Sequence, residues 1–245
     1  MNSLWSRGDS AHFLRQSRRA GRKTHETQRK YTDESGKVVT TRRFTPWIKR
    51  RDSMEIDVYD FDGTIYDGDS TVDFYLYCLR RHPKIARRLP SVAAAGLRKL
   101  FVKGYDLTAF KSVFFGFVQD VDVQAMAGAF WQEEATRGKL GAWFQTTPRD
   151  LPFVIASASP EFELAPIARE LGAAALIATR TDARTGVIEG KNNKSNVKIA
   201  RIRALYGEDV RVRAMYTDDL IADGPLVAWA REGYRITHGS VQRIK

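Results

Sequence analysis

The chain has 245 residues, 43% of them hydrophobic, enough for one large domain, or one domain carrying an insertion, with a core of its own. Its single cysteine, Cys78, excludes an internal disulfide and fits a reducing compartment, and no run approaches the roughly 18 apolar residues of a membrane span. The formal charge is +11, but residues 1–53 hold 14 Lys and Arg against 5 Asp and Glu, so the residues that follow carry only +2.

The first 53 residues show no sustained helical or strand period, and their sparse apolar residues cannot offset the entropy of ordering. They are expected to be a disordered basic arm, or to precede a working initiator at Met54, where the composition changes abruptly. The alternatives are an arm that binds nucleic acid or an anionic surface, and a transit peptide. No continuous apolar segment follows the first arginine, which argues against a secretory signal.

After Met54, Glu55 to Asp60 (EIDVYD) alternates apolar and polar residues and reads as a strand feeding a loop. From about 70 to 148 the pattern is helical. Apolar positions recur at three- and four-residue spacing through Phe74-Tyr75-Leu76, Leu97-Leu100-Phe101 and Met126-Phe130-Trp131, with breaks at Pro83, Pro90 and Gly104. Cys78 lies in one of these apolar runs and is expected to be a buried structural thiol. Leu151 to Ser157 (LPFVIAS) suits a buried parallel strand. Pro160 opens a helix through Leu171 that Gly172 closes. Ala174 to Thr179 is a strand, and a turn-rich stretch through Gly186 to Gly190 leads to a helix from about Ser195 to Tyr206. Val210 to Thr217 is a strand, Ala222 to Glu232 a helix and Tyr234 to Thr237 a last short strand.

Strands alternating with helices at this spacing predict an α/β fold, a doubly wound parallel sheet with a Rossmann-like core. The helical stretch between the first and second strands of that core is too long for a simple crossover and reads as an inserted all-helical cap domain. The expected organisation is therefore an arm (1–53), a core domain (54–68 and 149–245) and a cap domain (69–148).

In such a sheet, ligands bind outside the carboxyl ends of the strands. Three predicted strand ends carry polar residues suited to phosphate chemistry: Asp60 and Asp62, then Ser157 and Ser159, then Asp218, Asp219 and, further on, Asp223. A helix cap would account for Asp218-Asp219 alone, but not for acidic or hydroxylic residues at three strand ends. Carboxylates gathered from two strands suit a hard cation ligated by oxygen, which points to Mg²⁺. Residues two apart on a strand face the same side, so Asp60 and Asp62 can act on one substrate. Asp60 suits a carboxylate nucleophile and Asp62 a general acid and base. Gly63 permits a sharp turn, and Thr64 can hydrogen-bond a phosphoryl oxygen.

Asp60-Phe61-Asp62-Gly63-Thr64 resembles the first motif of haloacid dehalogenase-like superfamily phosphatases. Val154-Ile155-Ala156-Ser157 resembles the second, and Tyr216-Thr217-Asp218-Asp219-Leu220-Ile221-Ala222-Asp223 the fourth. The order and spacing agree from about residue 55 onward, and the flavour is that of the phosphoserine phosphatase-like branch with a helical cap. The resemblance implies a cytoplasmic, Mg²⁺-dependent phosphomonoesterase acting through an aspartyl-phosphate on Asp60, with Asp62 as acid and base. Ser157 would bind the phosphoryl group; Asp60, the Asp62 backbone carbonyl and Asp218 would ligate the metal, and Asp219 and Asp223 would lie in or around its shell. An acid at position 62 sets the chain apart from superfamily dehalogenases and P-type ATPases. The third motif, a lysine, falls in GKNNKSNVKIARI, where Lys198 is favoured over Lys194 and Lys191 reads as a solvated loop charge.

Specificity would reside in the cap. Asp69 stands where a phosphoserine phosphatase has a glutamate for the substrate amine. No arginine accompanies Lys111 to Phe117, so the substrate is expected to be a small phosphorylated metabolite other than phosphoserine. Arg80, Arg81, Lys84, Arg87, Arg88, Arg98, Lys99 and Lys103 read as a solvated face, or as a dock for an anionic lipid surface that would make the chain a lipid-phosphate phosphatase. A nucleic-acid-associated protein using the arm is the alternative from another class.

Overall fold

In the computed structural model, which describes residues 25–32, 38–45 and 54–245 except Tyr105 (backbone only in the first two stretches), His25–Thr32 (β1) and Val38–Thr45 (β2) pair antiparallel. Their register runs unbroken from His25↔Thr45 to Thr32↔Val38. The sequence reading expected no regular structure here. The low hydrophobicity obscured the β-branched content of HETQRKYT and VVTTRRFT, which suits strands. A lone two-stranded hairpin is at best marginally stable. The readings of the arm as a nucleic-acid binder or transit peptide, and of Met54 as initiator, fall largely on residues outside the described ones. Met1–Arg50 and Arg51–Lys245 are separate units, and the candidate site belongs to the second.

That second unit is built on a six-stranded sheet. Glu55–Tyr59 (β3) is followed by a helical insertion: α1 (Ser70–Arg81), a 3-10 helix (Pro83–Arg88), α2 (Leu89–Phe101), α3 (Leu107–Phe114), a second 3-10 helix (Phe115–Asp120), α4 (Val123–Phe130), α5 (Glu134–Arg137) and α6 (Ala142–Thr146). Both prolines act as expected, Pro83 opening the 3-10 helix and Pro90 standing in the first turn of α2. The chain then returns through β4 (Phe153–Pro160), α7 (Glu161–Glu170), β5 (Ala175–Thr179), α8 (Asn196–Tyr206), β6 (Arg211–Thr217), α9 (Gly224–Trp229), β7 (Glu232–Thr237) and β8 (Ser240–Arg243).

The strand order is β5-β4-β3-β6-β7-β8, parallel except for β8. It matches the doubly wound arrangement expected, with the order reversing at β3. Side chains alternate between two buried layers, as the two-residue strand period requires. Ile56, Val58, Val154, Ala156 and Ile177 join Ile202 of α8 and Leu226 of α9 on one face. Tyr59, Phe153, Ile155 and Ala178 join α7 and the inserted helices on the other, with Cys78 buried among them.

Two differences lie at the C-terminal edge. α9 stops at Trp229, earlier than the apolar spacing suggests, because the chain must rejoin the sheet at Glu232. β8 was not expected. His238 and Gly239 both take positive φ, 46° and 76°, as a tight hairpin turn demands, and they fold SVQR back onto β7.

Candidate active site

Tyr59, Tyr216 and Tyr234 occupy matching positions on β3, β6 and β7. Their rings stack in series, with centroids 4.4 and 4.7 Å apart. This ladder fixes the register of β3 against β6, and one residue further on Asp60 N–H donates to the Tyr216 carbonyl at 2.9 Å. The aspartates that follow β3 and β6 are thereby brought to the same end of the sheet.

Beyond Asp60 the chain turns at Gly63, whose φ is +69°, a conformation that L side chains rarely adopt. Space demands glycine as well, since a Cβ there would lie 2.1 Å from Asp218 Oδ2. Asp218 packs directly on this turn. Thr64 is buried beneath it, accepting from Asp218 N–H at 3.0 Å and donating to Asp218 Oδ1 at 3.3 Å. The sequence reading aimed the Thr64 hydroxyl at a phosphoryl oxygen; here it is engaged with Asp218.

Lys198 comes from α8, whose first turn follows Ser195 in a left-handed conformation (φ 57°). Its buried ammonium lies 3.1 Å from Asp60 Oδ1 and 2.7 Å from Asp223 Oδ1. Asp223, fully buried, also accepts from Thr217 Oγ1 at 3.0 Å. Burial works to lower the Lys198 pKa, but Asp60 and Asp223 outweigh it and hold the ammonium above its ordinary range. Burial pushes Asp60 up to about 7, against the pull of Lys198 and helped by Asp223 and Asp62.

Asp62 is held differently. Ser70 N–H at the start of α1 donates to its Oδ1 at 2.7 Å, and the Ser159 hydroxyl donates to Oδ2. Thr71 Oγ1 lies 2.9 Å from Ser159 Oγ and completes the chain of hydroxyls. Burial lifts Asp62 above its ordinary value despite these bonds. A carboxyl lifted above its ordinary value, two residues from a carboxylate tied to a lysine, has the form of an acid–nucleophile pair.

These groups line a cavity of about 450 Å³, the size of a small-ligand site. Of the strand-end and motif residues named from sequence, Asp60, Asp62, Asp69, Ser157, Ser159, Lys194, Lys198, Asp218 and Asp219 line it. Gly63, Thr64 and Asp223 stand behind it, supporting Asp218 and Lys198. Asp69 also caps α1, accepting from Val72 N–H at 3.0 Å, and Asp219 accepts from Ile221 and Ala222 N–H in the loop before α9.

Asn193 is a support that the sequence does not mark, and Lys111, marked there only as a cap lysine, has contacts that the fold alone reveals. Buried Asn193 donates to the carbonyls of Ser157 (2.9 Å) and Ile177 (2.6 Å), tying the ends of β4 and β5 together. Lys111 of α3 reaches across to Ala158 O (2.8 Å) and Asn192 Oδ1 (3.0 Å) and lines the cavity with Phe110 and Phe114. For Asn192 and Asn193 the only sequence signal is the polar run KNNK, in which lysines attract notice before asparagines.

Residues 58–226 match the model of the haloacid dehalogenase-like hydrolase family. Protein CicA from two strains of Caulobacter vibrioides, NA1000 / CB15N and ATCC 19089 / CIP 103742 / CB 15, is 32% identical over 201 residues, covering 74% of this chain and 86% of the relative. Among solved structures, a Bordetella pertussis Tohama I protein of unknown function is similar in fold, with a TM-score of 0.59 and 22% identity over 74% of this chain and 89% of that one. The strand order, the acidic strand ends and these matches agree: the chain belongs to the haloacid dehalogenase-like hydrolase family.

Proposed function

We propose that the chain is a Mg²⁺-dependent phosphomonoester phosphatase that passes through an aspartyl-phosphate on Asp60. The observation that supports this best is the Asp60 carboxylate 3.1 Å from buried Lys198, with Asp62 two residues on in a separate hydroxyl network. In this reading an Asp60 oxygen attacks phosphorus, the ester P–O bond breaks, and Asp62 gives its proton to the leaving oxygen. Water then attacks the phosphorus of the acyl phosphate and yields its proton to Asp62. The bond between phosphorus and Asp60 breaks, and phosphate leaves. Ser157 and Lys198 bind phosphoryl oxygens, Lys194 adds a cation at the cavity wall, and Asp223 holds Lys198 in place.

The donor set bears on the metal. Asp60, Asp62, Asp218 and Asp219 line one cavity, and burial raises the pKa of the first, second and third, as expected where negative charge lacks compensation. Among the described residues no three His, Cys, Asp or Glu side chains gather into a metal-binding group. Mg²⁺ does not require one, since it keeps several waters and takes one or two carboxylates together with phosphate oxygens. Asp60 and Asp218 fit that demand, with Asp62 and Asp219 nearby. When bound, the ion supplies charge that offsets the repulsion between these carboxylates and a phosphate dianion.

The helices of residues 69–148 serve in this reading as the cap that sets specificity, and a cytoplasmic setting suits the lone buried Cys78. The substrate is a small phosphorylated metabolite. Lys111 stands near Phe114, where the sequence places no arginine for a substrate carboxylate, but two of its N–H groups are already donated. Phosphoserine therefore remains a disfavoured ester. A panel of phosphate esters assayed with Mg²⁺ tests the proposal. Turnover should disappear with EDTA, return with Mg²⁺ and be lost in Asp60→Asn, while glycerol phosphate should exceed phosphoserine in kcat/KM. Full turnover without metal would overturn the metal's role, and phosphoserine as the best ester would assign carboxylate reading to Lys111.

A further inference from the structure

From Phe74 through Tyr105 the chain contains eight lysines and arginines and no aspartate or glutamate. Some of this charge is neutralised in the fold: Arg81 pairs with Glu133, and Arg87 and Arg88 pair with Asp120. Among the described residues Arg80, Lys84, Arg98, Lys99 and Lys103 have no carboxylate partner, and all five are exposed. The apolar residues among them are also exposed. Only Ala95 of α2 is buried, whereas Leu97 is 56% exposed, Leu100 77%, Phe101 80% and Val102 52%. Leu97, Leu100 and Phe101 stand at i, i+3 and i+4 and so share one face of the helix. The opposite side of α2 meets α3, where Gly96 lies against Phe110, with 3.8 Å to a Cβ built on it.

Large side chains in a contiguous exposed patch mark an interaction site. A helix with an apolar face bordered by lysine and arginine is the pattern of a helix lying in a lipid interface. We infer that the C-terminal half of α2 and the residues to Lys103 dock on an anionic bilayer surface, with Leu97, Leu100 and Phe101 entering the headgroup boundary and Arg98 and Lys103 meeting lipid phosphates, while Lys99 stays over the Phe110 ring of α3 at 5.3 Å. Charge selects this occupant. A second copy of the chain would set the same cations against one another, whereas anionic lipid satisfies the cations and the apolar side chains together. The inference does not depend on the reaction proposed above.

The test uses the full chain, and since the basic residues 1–53 would themselves draw it to anionic vesicles, parent and variants are compared with those residues in place. Cosedimentation with vesicles of phosphatidylcholine containing phosphatidylglycerol is compared with vesicles of phosphatidylcholine alone. The variants are Leu100→Ser with Phe101→Ser, and Arg98→Glu with Lys103→Glu; all four positions are exposed, and unchanged turnover of a soluble ester reports that the fold is intact. Each pair should lower binding to the anionic vesicles by roughly tenfold or more, and the serine pair should do so even though it leaves the net charge unchanged. Binding equal to the parent in both variants would overturn the inference and leave the attraction to the arm. So would a parent dimer that the serine pair dissociates, which would make this face a protein interface.

Discussion

Glu163 lies in the first turn of α7 with no exposed surface, and neither carboxylate oxygen receives a hydrogen bond of good geometry. Burial drives its pKa well above the ordinary range and the charge on Asp62 adds to this, while the nearby Ser70 and Thr71 hydroxyls pull the other way. A carboxyl raised in the folded state keeps a proton that the unfolded chain gives up. Its contribution to stability is therefore complete below the unfolded pKa of about 4.3 and is lost as pH rises toward the folded value, by at most about 1.4 kcal/mol per pH unit. Glu163→Gln keeps the shape and removes this loss. Urea unfolding at several pH values should show parent and variant diverging from about pH 4.5 upward, the variant gaining; an equal difference at pH 4.5 and 7.5 would show that Glu163 does not titrate as described. No sequence pattern marks such a residue. Glu161 and Glu163 read alike as first-turn helix acids, and only the packing of α7 against α4 and the start of α1 decides which one is buried. Asp60, Asp62 and Asp218 were legible for the opposite reason, because acids that end apolar strands conflict with local propensity.

The tyrosine ladder acts at the scale of elements, because it aligns the strands whose ends carry Asp60 and Asp218. Tyr216 stacks between Tyr59 and Tyr234 and also against Trp143. Tyr216→Ala removes the middle ring, and being only partly buried it should cost about 2–3 kcal/mol, measured as a lower denaturant midpoint at constant slope. A loss below about 0.5 kcal/mol, the scale of a neutral surface change, would mean that main-chain hydrogen bonds alone set the register. The strands of the parallel sheet were readable from their apolar runs, and the inserted helices from their spacing and prolines. The hairpin β1–β2 and the edge strand β8 were not. Their residues are mostly polar, and they are specified by pairing and turn geometry rather than by burial, which leaves little hydrophobic period to read. Thr64 and Asp223 stand out in the sequence as candidate site residues, but their support of Asp218 and Lys198 depends on contacts between residues far apart in sequence.

The whole molecule separates its charge from its chemistry. Most of the net positive charge belongs to residues 1–53, whereas the sheet, the inserted helices and the cavity belong to the unit Arg51–Lys245. A chain starting at residue 51 should keep the kcat/KM of the full chain toward a soluble phosphate ester; a large loss with the fold retained would make the arm part of the enzyme. Among the described residues no helix is long and apolar enough to cross a membrane. The central claim is that phosphorus is transferred to Asp60, and rapid acid quench during turnover with Mg²⁺, followed by mass spectrometry of the peptide spanning Val58 to Gly68, tests it most directly. One phosphoryl group should be found on Asp60 and should accumulate in Asp62→Asn loaded with an ester that has a good leaving group, where loss of the base slows hydrolysis. Turnover by the parent, and equally by Asp60→Asn, with no phosphoryl group on this peptide in either protein, would contradict it.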